Sequence, residues 1–354
     1  MVDMLKRTNH AGDREVKRQK GGSPDQNGAE SLKKKFIHED YTVAWVCPLE
    51  IELTAALQML DEEHEPLPQP PTDHNIYHLG SIASYKVVIA GLWQAGNNPA
   101  TAVVTQMRIR FPNLRFALLV GVGGGVPTIT DNGMLRLGHV VVSKPVGPFS
   151  GAIQYNHGKA RDGVFERTGA LAPPPTVLLL AAQALAVQRA RSDEDLIMKN
   201  VQRIDTSKPQ LRRFKFPGVE KDNLFPADYK HLCPGLSCEE SECDMAQCIK
   251  REIGELDQLI VVHRGTVASG ELVLRDSALR DKLAKEYGVL CFEMEAAGAI
   301  ADFHCLVIRG ISHYCDSHNN DQWHGFAAAA AAAYARQLFF HMPIDEVKLL
   351  VYCP

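Results

Sequence analysis

The side chains with the clearest chemistry stand in Cys291-Phe292-Glu293-Met294-Glu295-Ala296-Ala297-Gly298, where two carboxylates flank a methionine. A carboxylate can accept both hydroxyls of a vicinal diol while a flexible thioether packs on the apolar face of the same sugar, so a ribose fits the pattern. The run from Gly288 to Phe292 reads as a β strand, and the small residues Ala296, Ala297 and Gly298 open a closely packed helix. The acids therefore stand at a strand-to-helix junction, and in open α/β sheets ligands bind at the carboxyl ends of strands. A second β-type run, Cys305 to Ile311, leads into Ser312, His313, Tyr314, Cys315 and Asp316.

The elements that must position these groups follow from periodicity and punctuation. Tyr41 to Cys47 has the continuous apolar character of a central parallel strand; it stops at Pro48, and a helix over about 49–60 carries Glu50 and Glu52 in its first turn, where the helix dipole favours negative charge. Tyr77–Leu79 and Tyr85–Leu92 read as a hairpin. The turn Trp93 to Pro99 then leads into a helix over 100–110, at whose start backbone N–H groups, including that of Gly96, can hold an anion. Phe116 to Val120 is a buried strand that runs into a glycine loop, Gly121 to Pro127, where the backbone can approach a ligand closely. No helix with a suitably spaced ribose-binding acid follows, so this is not a dinucleotide fingerprint. Strands over 137–143 and 259–263, an amphipathic helix over 276–287 ending at Gly288, and an alanine-rich helix over 323–341 complete the pattern. The expected fold is α/β: a mixed, largely parallel sheet flanked by helices, in one domain over 38–354 with an inserted subdomain at about 144–257.

With 354 residues, 45% of them hydrophobic, and a net charge of -4, the chain suits neither a nucleic-acid scaffold nor a membrane protein. Its apolar runs are broken by Gly, Pro or charge within roughly a dozen residues, too soon to span a bilayer. No apolar core follows Lys6 and Arg7, which points to an intracellular protein, cytoplasmic or nuclear. Residues 1–37 hold too little apolar surface to order themselves; their basic clusters could form a nuclear-import signal but read more simply as a solvated tail. Lys208, Arg212, Arg213 and Lys215 could face substrate phosphates, although a solvated surface is the simpler reading. Nine cysteines, several inside buried strands, read as reduced thiols. His231 with Cys233, Cys238, Cys243 and Cys248 carries no metal assignment on spacing: each gap holds four residues and no second pair stands elsewhere, so unrelated thiols or a local disulfide fit as well.

Phe292-Glu293-Met294-Glu295-Ala296-Ala297-Gly298 resembles the signature of the nucleoside phosphorylase superfamily, and the likeness continues in ordered blocks from about Tyr41 to about His341. Within that superfamily the chain is similar to the methylthioadenosine/S-adenosylhomocysteine nucleosidases and to the purine nucleosidase-like domain of fungal immune-receptor-like proteins. The resemblance implies that Glu52 activates water as general base, that Gly124 lies in the base- and ribose-contacting loop, and that the backbone of Leu274 reads a purine edge. It places Glu293, Met294 and Glu295 on the ribose, and it implies a homodimer that needs no cofactor. The residue before Leu274 is commonly aromatic in relatives, but here it is Val273; an acid is usual at the place of His139. Phosphorylases of the superfamily hold phosphate with arginines that this glycine-rich turn and first strand lack, which favours hydrolysis. Adenine-specific relatives place an aspartate after Ile-Ser as the acid that protonates the leaving base; here His313 stands there. Three readings follow: His313 donates the proton with Asp316 raising its pKa, Asp316 takes over, or the domain binds nucleotide with little turnover.

Overall fold

The computed structural model describes residues 36–231, 233, 236–251, 260–318 and 321–343. The expected disordered tail falls outside them apart from Phe36 and Ile37, of which Phe36 packs against His64 with ring centres 4.2 Å apart.

Ten described strands form one sheet. Its principal members are β1 (Val43–Cys47), β2 (Tyr77–Ile82), β3 (Tyr85–Gly91), β4 (Phe116–Gly125), β5 (Val140–Ser143), β6 (Ala152–Gln154), β7 (Val262–Ser269), β8 (Val289–Glu293) and β9 (Cys305–His313). Every residue of β1 and β5 is buried, as the unbroken apolar runs Val-Ala-Trp-Val-Cys and Val-Val-Val-Ser require of strands covered on both faces. β3, β1, β4 and β9 are neighbours in parallel; β5 lies antiparallel to β9 and parallel to β7, and β7 is parallel to β8. The mixed, largely parallel sheet is thus the expected one.

One feature differs from the sequence reading. The glycine run is strand rather than loop: β4 continues to Gly125 because β9 pairs along one edge as far as Gly124 while β8 pairs antiparallel on the other, Cys291 opposite Gly125 and Phe292 opposite Gly124. That second pairing closes β4, β9, β5, β7 and β8 into a ring and carries the end of β8 to the end of β4. Within the segment over 144–257, β6 pairs in parallel with β7.

Helices α1 (Glu50–Leu57), α2 (Asn97–Arg110), α3 (Thr176–Arg191), α4 (Leu196–Val201), α5 (Ser277–Tyr287), α6 (Ala296–Asp302) and α7 (His324–Leu338) cover the sheet. The ends of α5 are encoded locally: Asp276 accepts the N–H groups of Ala278 and Leu279, and Gly288 stops the helix in the left-handed conformation at φ 61°. Small residues let helices come close. A Cβ on Gly298 would stand 2.0 Å from the Asn97 carbonyl oxygen, and one on Gly310 would stand 1.9 Å from that of Ala327, so the alanine face of α7 lies directly on β9. No helix among the described residues is long and apolar enough to cross a membrane.

His139, where relatives carry an acid, is buried in a hydrogen-bonded pair with His263. Its Nδ1 accepts the Arg136 N–H and lies 3.0 Å from Nε2 of His263, whose own Nδ1 meets Thr130 Oγ1 at 2.8 Å. Burial, with His263 and Arg136 beside it, pushes His139 down to about 3; burial pushes His263 down to about 4. Depressed histidines contribute stability that is complete above pH ~6.5 and is lost as pH falls through the folded values. His263→Gln is therefore expected to lose less melting temperature than the parent between pH 7 and pH 4.5, as measured by thermal unfolding at each pH.

Candidate active site

The ring closure brings three acids around one buried arginine. Arg309, in the middle of β9 and 1% exposed, donates from one terminal nitrogen to Glu293 Oε2 at 2.5 Å and to Glu295 Oε2 at 3.0 Å, and from the other to the Val122 carbonyl at 3.3 Å. Glu52, in the first turn of α1, is also buried; its two oxygens accept the N–H groups of Leu49 and Val122, both at 2.6 Å. A Cβ on Gly121 would come within 2.4 Å of Glu52 Oε1 and 2.7 Å of Arg309, so the first glycine of the run makes room for this pair.

The electrostatics separate the acids by task. Burial pushes Glu52 up to about 8, against the opposing pull of Arg309 and the two N–H donors. Burial likewise pushes Glu295 up to about 7, again opposed by Arg309. Burial alone would lower the Arg309 pKa, but Glu293, Glu295 and Glu52 together raise it above its usual value. Glu293 serves the scaffold: besides Arg309, its carboxylate accepts the N–H of Glu295 at 3.0 Å and that of Ala296 at 2.9 Å, pinning the start of α6. Glu295 keeps a different set of partners, Oε1 accepting the Gly96 N–H at 3.2 Å and Oε2 that of Met294 at 3.3 Å.

Gly96 adopts φ 135° at the start of α2, where only glycine is at ease. The helix start that could have held an anion is occupied by carboxylates: Glu295 takes the N–H of Gly96, and Glu271 takes that of Asn97 at 3.0 Å. Asn97 Oδ1 in turn accepts the Gly298 N–H, while its Nδ2 is buried with no partner.

On the other side of the glycine run, a Cβ on Gly124 would stand 2.7 Å from His313 Nε2 and 2.1 Å from Cys315 Sγ. His313 ends β9, its Nδ1 3.0 Å from Ser312 Oγ and its Nε2 against Gly124. Burial, His324 and Arg275 push it down to about 4, with Asp321 as the opposing acid. The expectation that Asp316 raises this value is corrected here: Asp316 turns its Oδ1 to the His318 N–H at 3.0 Å, and the ring near pH 7 is a neutral imidazole.

Leu274 is buried in an apolar cluster with Phe292, Tyr155 and Cys315, and the Tyr155 and Phe292 rings meet edge to face at 5.7 Å. Val273 is 62% exposed, so aromatic surface here comes from the strands rather than from the residue before Leu274. Met294 is half-buried between the two acids.

The structure thus joins Glu52, Glu293, Glu295 and Gly96 through Arg309 and shared hydrogen bonds, and sets Gly124 against His313. Asp316 points away toward His318, lining with His313 a cavity of about 220 Å³. Sequence reasoning missed Arg309, Glu271 and Asn97. The signal for Arg309 was present as one charge inside the apolar run Leu306-Val307-Ile308-Arg309-Gly310-Ile311, because a charge is buried in a strand only when partners await it.

Residues 42–339 match the family model of the phosphorylase superfamily. A nucleotide-binding leucine-rich repeat (NLR)-like protein of Hyaloscypha variabilis is 40% identical over 301 residues, which cover 85% of this chain and 29% of that protein. The ATP nucleosidase Cap17 of Escherichia coli is 24% identical over 88% of this chain and 54% of its own length, so the chain spans about half or less of these curated relatives. Among solved structures, futalosine hydrolase of Helicobacter pylori superposes with a TM-score of 0.53 at 15% identity, over 86% of this chain and 100% of that one. The 5'-methylthioadenosine/S-adenosylhomocysteine nucleosidase of the same organism gives 0.53 at 14% identity, over 87% and 100%, so the fold is shared with nucleosidases.

Proposed function

The chain belongs to the phosphorylase superfamily, and from that membership we propose that it is a purine nucleosidase, hydrolysing a purine ribonucleoside or its 5'-phosphate to free base and ribose or ribose phosphate. The observation that carries this reading is the buried Glu52, with a pKa of about 8, beside the Glu295–Arg309 pair. A base poised near neutrality suits proton abstraction from water. In the reaction the bond from the anomeric carbon to the base nitrogen breaks, the base leaving with the electron pair. Water oxygen bonds to that carbon and gives one proton to Glu52. The ribose hydroxyls donate to Glu295, whose charge, fixed by Arg309, stabilises the cationic ribosyl centre. His313, as a neutral imidazole, offers an N–H hydrogen bond to the leaving base, and the one proton that base gains is balanced by the one Glu52 takes from water, so no further donor is needed.

Hydrolysis is favoured over phosphorolysis because the α2 start is occupied by Glu271 and Glu295, which would repel inorganic phosphate, while Arg309 is already paired with carboxylates. A 5'-phosphate has a separate place to go. Arg212, Arg213, Lys215 and His324 line an open groove with Ile51, the neighbour of Glu52, and the name of the E. coli relative, an ATP nucleosidase, agrees with a phosphorylated substrate. Trp93, 69% exposed near Gly96, supplies apolar surface that a second subunit of a homodimer would cover.

The test is to incubate the protein with adenosine, inosine, guanosine, AMP and ATP, each with and without phosphate, and to quantify released base by chromatography. Release without phosphate is expected; release only with phosphate would make the protein a phosphorylase. The neutral state of His313 favours one second reading, a nucleotide-binding domain with little turnover. His313→Asp separates the two. A working His313 predicts a fall in kcat on the order of 10²-fold, whereas a large gain would mean that the histidine had silenced the site.

A further inference from the structure

We propose that His231, Cys238, Cys243 and His318 form a closed tetrahedral zinc site that ties the segment after α4 to the strand end carrying His313. The proposal is independent of the nucleosidase reading. One ligand atom from each of the four residues lies within 4.8 Å of the others. His318 Nδ1 is 3.6 Å from Cys238 Sγ and 3.9 Å from Cys243 Sγ. With metal–sulfur bonds of about 2.3 Å and metal–nitrogen bonds of about 2.1 Å, the edges of such a tetrahedron measure roughly 3.3–3.8 Å. The cluster therefore needs shifts of only a few tenths of an ångström along these edges.

The surroundings are those of a ligand set. His318 Nε2 lies 3.0 Å from the Tyr229 carbonyl oxygen, to which only an N–H can bond, so the lone pair of a neutral ring is on Nδ1, facing the two thiols. The ring packs against Phe225, at 4.0 Å, and Tyr229, at 5.2 Å, which lie 5.3 Å from each other. His231 is 9% exposed; its backbone N–H donates to Ser317 Oγ at 2.9 Å, and its Nδ1 is buried without a hydrogen-bond partner. A buried imidazole nitrogen with no partner is costly, and coordination, or the tautomer that coordination fixes, is the way such rings are satisfied. Two sulfurs and two imidazoles in a closed set suit zinc, with no position left for a reacting water. Cys233 and Cys248, which share the four-residue spacing, stand outside the cluster.

The site would fix catalytic geometry at a distance. His318 lies five residues beyond His313 and donates its backbone N–H to Asp316, whereas His231, Cys238 and Cys243 come from the segment over 144–257. Metal would hold the two walls of the 220 Å³ cavity shared by Cys238, His313, Asp316 and His318 in register.

The experiment is metal analysis of the full chain, purified without chelator or metal-affinity steps and dialysed against metal-free buffer. About one zinc per chain is expected. Cys238→Ser/Cys243→Ser is expected to lose it, and Cys233→Ser to keep it. Should the double variant fail to fold, the parent protein stripped and reloaded with cobalt(II) decides: intense visible bands with thiolate-to-cobalt charge transfer support the site. A weak octahedral spectrum, folded zinc-free protein after dialysis against zinc, or a Cys238–Cys243 disulfide in the purified chain overturns it. None of these readouts depends on turnover, so failure of the nucleosidase reading leaves them unaffected.

Discussion

Arg309→Met is expected to lower the unfolding free energy by about 3–5 kcal/mol at pH 7, because it leaves buried carboxylates without their counter-charge. Glu293 and Glu295 would each lose a direct partner at 2.5 and 3.0 Å, and Glu52 the cation that opposes its burial. Without the arginine Glu52 and Glu295, already raised by burial, lose the charge that opposes it, and their folded pKa values rise further. A raised carboxyl contributes stability that is complete below its unfolded value, about 4.3, and lost as pH rises through the folded one. The deficit of the variant should therefore be small near pH 5 and grow toward pH 8, a trend that urea unfolding at the two pH values would read directly. A deficit independent of pH would mean that the loss was of packing, with charge playing no part.

The second large effect is catalytic. On the proposed mechanism, in which Glu52 acts on water and other groups hold the ribose, Glu52→Gln is expected to lower kcat by about 10²–10⁴-fold with little change in substrate affinity. The variant should stay folded: the amide keeps one acceptor for Leu49 or Val122 and loses the other, costing roughly 1–2 kcal/mol. The pH dependence supplies the signature. With Glu52 near 8, kcat/KM of the parent should climb through neutrality as the carboxyl ionises, and that limb should vanish in the variant. A variant that hydrolyses substrate at the parental rate would remove Glu52 from the chemistry altogether.

How much of this was legible in the sequence follows from range. The strand Tyr41 to Cys47, the helix after Pro48 and the caps of α5 at Asp276 and Gly288 are local decisions, and the local residues show them. The pairing of Glu293 and Glu295 was legible for the same reason. What needed coordinates was anything set by residues far apart along the chain. The glycine run Gly121 to Gly125 has the composition of a loop, and only two strands pairing on its two edges make it strand. Glu293 and Glu295 look alike in sequence, yet one spends its oxygens on the α6 backbone and the other faces Gly96. The cysteine spacing around 233–248 carried no metal assignment, because the group that Cys238 and Cys243 join with His231 includes His318, which lies 70 residues beyond the last of those cysteines.

The closure of the sheet ring has a consequence for how substrate enters. Val126 donates its N–H to the Leu290 carbonyl and Gly270 donates to that of Glu293, so the ledge bearing the acids is tied to its neighbours on both sides. Amides in such a tie open only with the body of the sheet, and those near Val126 and Phe292 belong with the slowest to exchange with solvent. The acid-bearing strand is therefore a fixed anvil. On the proposed nucleosidase reading, admission of substrate and escape of its base would fall to the segments around it, the turn at Trp93, the exposed stretch at Val273 and the chain beyond His313.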